Sequence, residues 1–137
     1  MLGFDTAKLE IADTVTVELM NPETGKPLLN PDETPCSIEV HAFHTNKFQA
    51  ALKKATAHHK EDIEKMSLSE IDELVAKDSK LNSELSKHLI IGHKLIKPDG
   101  VQVKDKELQK MLDNPNFAWI GSQLFASVIE KKGKLKN

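Results

Sequence analysis

Six histidines and a single cysteine are the side chains best suited to ligate a metal or attack a substrate. A helical zinc site of the protease kind sets two histidines i, i+4 on one face, with a glutamate between them as base. His88 and His93 are five apart, and Leu89, Ile90, Ile91 and Gly92 between them supply no base. His41 and His44 are three apart, His58 and His59 adjoin, and neither pair has a zinc spacing. His58 stands at helical contact spacing from Glu61 and Asp62, the arrangement of an ordinary surface charge pair. No metal-ligating residue is expected.

Nucleophilic catalysis would need Cys36 with a histidine held beside it, and His41 follows five residues later. In a strand those two positions point to opposite faces, so the imidazole cannot serve the thiol. Cys36, next to Pro35, reads as a half-buried packing residue. The six glycines are scattered singly, and Gly25-Lys26-Pro27 lacks both the phosphate-cradling loop before it and the hydroxyl after it. The carboxylate pairs Asp72-Glu73 and Glu61-Asp62 fall on helix faces where charge is simply solvated. No catalytic or cofactor-binding residue follows, and the chain is not expected to be an enzyme or to need a cofactor.

The elements that would position any site fit one domain with one core, given 137 residues and 15.3 kDa. Apolar and polar residues alternate from Thr14 to Leu19 and again from Ile38 to Ala42, which predicts two strands joined by turns at Asn21–Gly25 and Asn30–Pro35. Thr45 is placed to cap a helix whose buried face is Phe48, Ala51, Leu52 and Ala55, running to about Lys60. Ser67 and Glu70 form a capping-box pattern after a joint near Met66. From there Leu68, Ile71, Leu74 and Val75, then Leu81, Leu85 and Leu89, predict a long helix to Gly92, interrupted or kinked at Asp78-Ser79.

Lys97-Pro98-Asp99-Gly100 is a turn, Val101 and Val103 suit a short strand or arm, and Asp105 is placed to cap a brief helix with Leu108, Met111 and Leu112 inside. Pro115 ends that helix, and Asn116 starts a last one with Phe117, Ile120, Leu124 and Val128 on one face and Phe125 beside them. The expected fold is α+β, mainly α: an N-terminal β-hairpin packed on about four helices. Residues 1–13 form an arm, 14–44 the hairpin, 45–130 the helical part and 131–137 a basic tail, within a single domain covering 1–137.

Charge narrows the partners. Residues 1–45 carry −6 and the remainder +4, and all nineteen basic residues are lysine, so the guanidinium fork suited to phosphate and guanine is absent. Nucleic acid is not an expected partner, and Lys131–Lys136 reads as a solvated tail. The longest purely apolar run, Phe117 to Ile120, is far short of the roughly 20 residues of a membrane span. Met1 to Glu10 lacks the pattern of a secretory signal, so a cytoplasmic location is the default. What remains is apolar. The strand holding Val15, Val17 and Leu19 has at least one open edge, and Trp119 lies off the Phe117/Ile120/Leu124 stripe; these residues are the candidates for partner binding.

The order of the pieces carries a resemblance. A Val-Thr-Val strand, Asn-Pro-Glu-Thr-Gly-Lys-Pro, Ile-Glu-Val and Thr-Asn-Lys-Phe-Gln-Ala-Ala precede Leu-Ile-Ile-Gly-His-Lys-Leu-Ile, Pro-Asp-Gly and Leu-Asp-Asn-Pro-Asn-Phe-Ala-Trp-Ile-Gly-Ser-Gln-Leu. Over roughly residues 14–130 this resembles the tail assembly chaperones of long-tailed bacteriophages. Thr45 and Phe48 match the family's capped helix start, Pro115 and Trp119 its late helix, and Gly92 the end of its middle helix; His93 departs from it, since tryptophan is common there. The resemblance implies a non-catalytic chaperone that binds the tape measure protein, keeps it soluble and promotes tail-tube assembly. It further implies a homo-oligomer in the host cell cytoplasm, absent from the mature virion, with a longer frameshifted form that recruits the tail tube protein. The alternative is a permanent tail structural or connector protein.

Overall fold

Alternation in Thr14–Glu18 produces a strand, β1, with Val15 and Val17 buried and the residues between them exposed. In the computed structural model, which describes residues 6, 9–57 and 65–134, β1 pairs antiparallel with β2 (Ser37–His41), Val15 opposite Val40 and Val17 opposite Ile38. β-Branched side chains pack well on a pleated surface with one buried face, and Ile38 and Val40 are fully buried. In the connecting loop Gly25 takes a φ of 71°, the left-handed conformation its turn requires.

Helix α1 (Asn46–Ala55) starts where expected, the Thr45 hydroxyl accepting the Phe48 N–H at 3.1 Å. It stops at Ala55, short of Lys60, and the Thr56 hydroxyl donates back to the Leu52 carbonyl. Helical spacing carried on from Ala55 would next call on His58 and His59, which are polar in the sequence and offer no apolar stripe for a further turn. Those histidines, with Glu61 and Asp62, lie outside the described residues.

Helix α2 (Leu68–Lys77) carries the capping box: Ser67 Oγ accepts from the Glu70 N–H, and Glu70 Oε1 from the Ser67 N–H. Of the two outcomes expected at Asp78-Ser79 the structure has the interruption: the Asp78 carboxylate caps α3 (Ser79–Leu89) by accepting the N–H groups of Lys80 and Leu81. The long helix expected to reach Gly92 is corrected at its far end too. After Leu89 the chain enters a strand, β3 (Ile90–Lys94), and the sheet order is β1-β2-β3. Two β-branched isoleucines followed by glycine are poor helix formers. The second edge of β2 gives them a ladder instead, Ile90 opposite Val40 and His93 opposite Ile38 across a bulge at Glu39/Val40.

Val101 and Val103 form an arm folded against the segment after β3: Ile96 bridges Gln102 and the Val103 N–H donates to the Leu95 carbonyl. Helix α4 (Asp105–Asp113) begins at Asp105 itself, so that residue is not the cap; the Lys104 N–H donates to the Glu107 carboxylate, and Asp105 turns to His93. Pro115–Phe117 form a 3-10 turn capped by Asn114, and α5 (Ala118–Glu130) follows it directly.

Helix α5 is the centre of the molecule, touching α2, α3, α4, β1 and β2. Its Phe125 stacks on Phe48 at 6.1 Å, and Phe43 tilts against Phe48 at 5.2 Å. Gly121 lets α5 approach α3, where a Cβ would overlap Asn82 and Ser86. Asn82 is buried there, with Nδ2 donating toward the carbonyls of Val75 and Ala118 and the Ser122 hydroxyl. A polar group at that depth must be bonded, and its three partners lie in α2 and α5, so that Asn82 ties α3 to both.

Candidate partner-binding edge

The Leu19 N–H donates to the Cys36 carbonyl and the Ala42 N–H to the Asp13 carbonyl, both at 2.8 Å. The odd-numbered peptide groups from Asp13 to Leu19 therefore bond inward to β2, and the even-numbered ones point to the free side of β1. Both ends of that side are closed. The Ala12 N–H donates to the Lys134 carbonyl at 3.0 Å. At the other end the Met20 N–H donates to Gln123 Oε1 at 2.9 Å, and Gln123 Nε2 donates back to the Met20 carbonyl at 2.8 Å. Between the two stops lie Thr14, Thr16 and Glu18, with exposed side chains and, among the described residues, no neighbour on that side.

The open edge is thus where the sequence placed it, but its side chains are not. Val15, Val17 and Leu19 are at most 5% exposed and belong to the core, because strand alternation turns them to the face that meets the helices. What β1 offers a partner is its outward backbone and the side chains of Thr14, Thr16 and Glu18. The parity of the strand carried that information; the residue missed was Gln123, whose role depends on tertiary placement. At the other edge of the sheet Gln102 Nε2 donates to the His93 carbonyl, while Ile91 beside it is exposed.

Phe117 and Trp119 are half-buried and packed against the core, so Trp119 is neither a free surface ring nor fully enclosed. Trp119 precedes Gln123 by one helical turn and shares its face of α5. The C-terminal lysines expected in solvent dock in part: Lys132 Nζ sits 4.8 Å above the Phe43 ring, in cation–π contact.

No known protein-family model, curated protein or solved structure matches the chain.

Among the described residues no three His, Cys, Asp or Glu side chains cluster as metal ligands, and no helix is long and apolar enough to cross a membrane. Cys36 Sγ donates to Asn30 Oδ1 at 3.2 Å, and burial, with the Asp32 carboxylate adding to it, pushes the thiol's pKa up and disfavours the reactive thiolate. A cleft of about 300 Å³ between α3 and the end of α4 holds Ser83, Lys87 and Asp113. Lys87 Nζ and the Ser83 hydroxyl both donate to Asp113 Oδ1 at 2.7 Å and hold its pKa below the usual carboxylate value, which makes it a weak base for that serine. His93 Nε2 lies 3.2 Å from Asp105, while its Nδ1 is buried without a partner.

Proposed function

We propose that the protein is a tail assembly chaperone of a long-tailed phage, which binds the tape measure protein, keeps it soluble and promotes tail-tube assembly without catalysis. The observation that carries this reading is the stretch of β1 left open between two stops, in a sheet backed by helices: a rigid platform with a defined place for another chain to add. The order of sequence motifs supports it from a separate direction. The chaperone acts as a homo-oligomer in the host cytoplasm and leaves before the virion is complete, and a longer frameshifted form recruits the tail tube protein.

Co-expression with the tape measure protein of the neighbouring gene, followed by size-exclusion chromatography with light scattering, tests the proposal. A defined soluble complex of several copies is expected. A lone monomer with the tape measure protein left insoluble overturns it, and detection of the chain in purified virions by mass spectrometry points to a permanent tail component.

A further inference from the structure

We infer that the open window of β1 binds an extended segment of another protein bearing lysine or arginine at alternate positions, which adds as a fourth strand. The inference deepens the proposed function by giving the chemistry of the docking segment, and rests on it only for the partner's identity. The window is bounded: Lys134 closes it at Ala12 and Gln123 at Met20. Three outward peptide groups, those of Thr14, Thr16 and Glu18, remain to bond an added strand. β1 has no proline, lysine or bulge along its edge, its one charge being Glu18; the sheet's bulge lies between β2 and β3.

Charge selects the occupant. Glu18 and Glu39 lie on the same outward face of the sheet, Glu18 opposite Ser37 and Glu39 opposite Thr16. Neither forms an ion pair among the described residues, unlike Lys94, Lys97 and Lys87, which pair with Asp32, Glu107 and Asp113. A strand added beside β1 sets one side chain directly across from Glu18, where a cation is favoured and an anion is not. A second copy paired about Thr16 would set Thr14 against Glu18 and gather four carboxylates on one continuous face, the lysine it adds there, Lys94, being already paired with Asp32. The observations therefore favour a basic strand over self-pairing.

The probe is a blocked, fluorescein-labelled Lys-Val-Lys-Val-Lys peptide, with Glu-Val-Glu-Val-Glu as its counterpart. The basic peptide is expected to slow amide exchange at Thr14, Thr16 and Glu18 and to bind about tenfold more tightly than the acidic one. Thr16→Pro deletes an outward N–H while sparing the ladder to β2, and should abolish binding with the circular dichroism unchanged. Glu18→Lys should reverse the charge preference and carries the test where Thr16→Pro does not fold. Equal binding of both peptides, unchanged binding by a folded Thr16→Pro chain, or unchanged preference in Glu18→Lys overturns the inference. So does a free chain that is already dimeric through protected β1 amides, which would give the edge to a second copy. No phage protein is involved, so a failed tape measure co-expression leaves this result standing, and the converse holds.

Discussion

The side chain of Gln123 meets the backbone of Met20 as a neighbouring strand would, accepting its N–H and donating to its carbonyl across 103 residues of sequence. One primary amide thereby satisfies the last outward peptide group of β1 and ties the sheet to the central helix. Gln123→Ala should cost about 1–2 kcal/mol in urea unfolding, the net worth of two part-buried hydrogen bonds. Gln123→Glu keeps the acceptor but sets a carboxylate oxygen against the Met20 carbonyl in place of the donor, so it should cost at least as much as alanine. In both variants the Met20 amide should exchange faster while the amides of β2 do not.

Asn30 holds the hairpin loop to the far end of the sheet. Buried at 3% exposure, it donates from Nδ2 to the carbonyls of Pro35 and Lys94 and accepts at Oδ1 from the Ile96 N–H and the Cys36 thiol. Asn30→Asp replaces a donor with a charge facing two carbonyls, and a loss of about 2–4 kcal/mol is expected by thermal or urea denaturation. Asn30→Ala should lose less than the aspartate variant.

The contact at Gly121 gives a third test. Gly121→Ala places a methyl group onto Asn82 and Ser86 and should destabilise by about 1–3 kcal/mol through overpacking. Combined with Asn82→Ala the two costs should not add, because the first variant already disturbs the bonds that the second removes. Strict additivity in a double-mutant cycle would place the strain elsewhere.

Acid stability follows from Asp113. Its pKa is lowered from 3.8, first by the hydrogen bond from Lys87 and then by that from Ser83. A carboxyl depressed in the folded state stabilises it above the unfolded value, and that stability disappears as pH falls through the folded one. Lys87→Met and Ser83→Ala should each raise the Asp113 pKa in an NMR titration, the lysine change more, and flatten the loss of stability below about pH 4. An unmoved titration would show the bonds to be absent in solution.

The features legible in the sequence were those with local causes. The caps at Thr45 and Ser67, the buried stripe of α1 and the alternation of β1 and β2 each rest on residues within a few positions of one another. β3 was not legible, because Leu81, Leu85 and Leu89 continue a helical period toward Gly92 and only the vacant edge of β2 makes Ile90 and Ile91 a strand. The burial of Val15 and Val17 was implied by alternation, yet which face met the helices was set by α5. Gln123 and Asn30 gave no signal, since each is polar, ordinary in its local context and defined by partners far along the chain.

The docking of Lys132 on Phe43 and of the Lys134 carbonyl on Ala12 brings the described start and end of the chain side by side. Among the described contacts, a pull applied at Ala12 and Lys134 loads their hydrogen bond and the Lys132–Phe43 contact before it reaches the ladder between β1 and β2. The described clasp thus lies in series ahead of the sheet, so that tension entering at Ala12 and Lys134 meets a side contact before it meets a strand ladder.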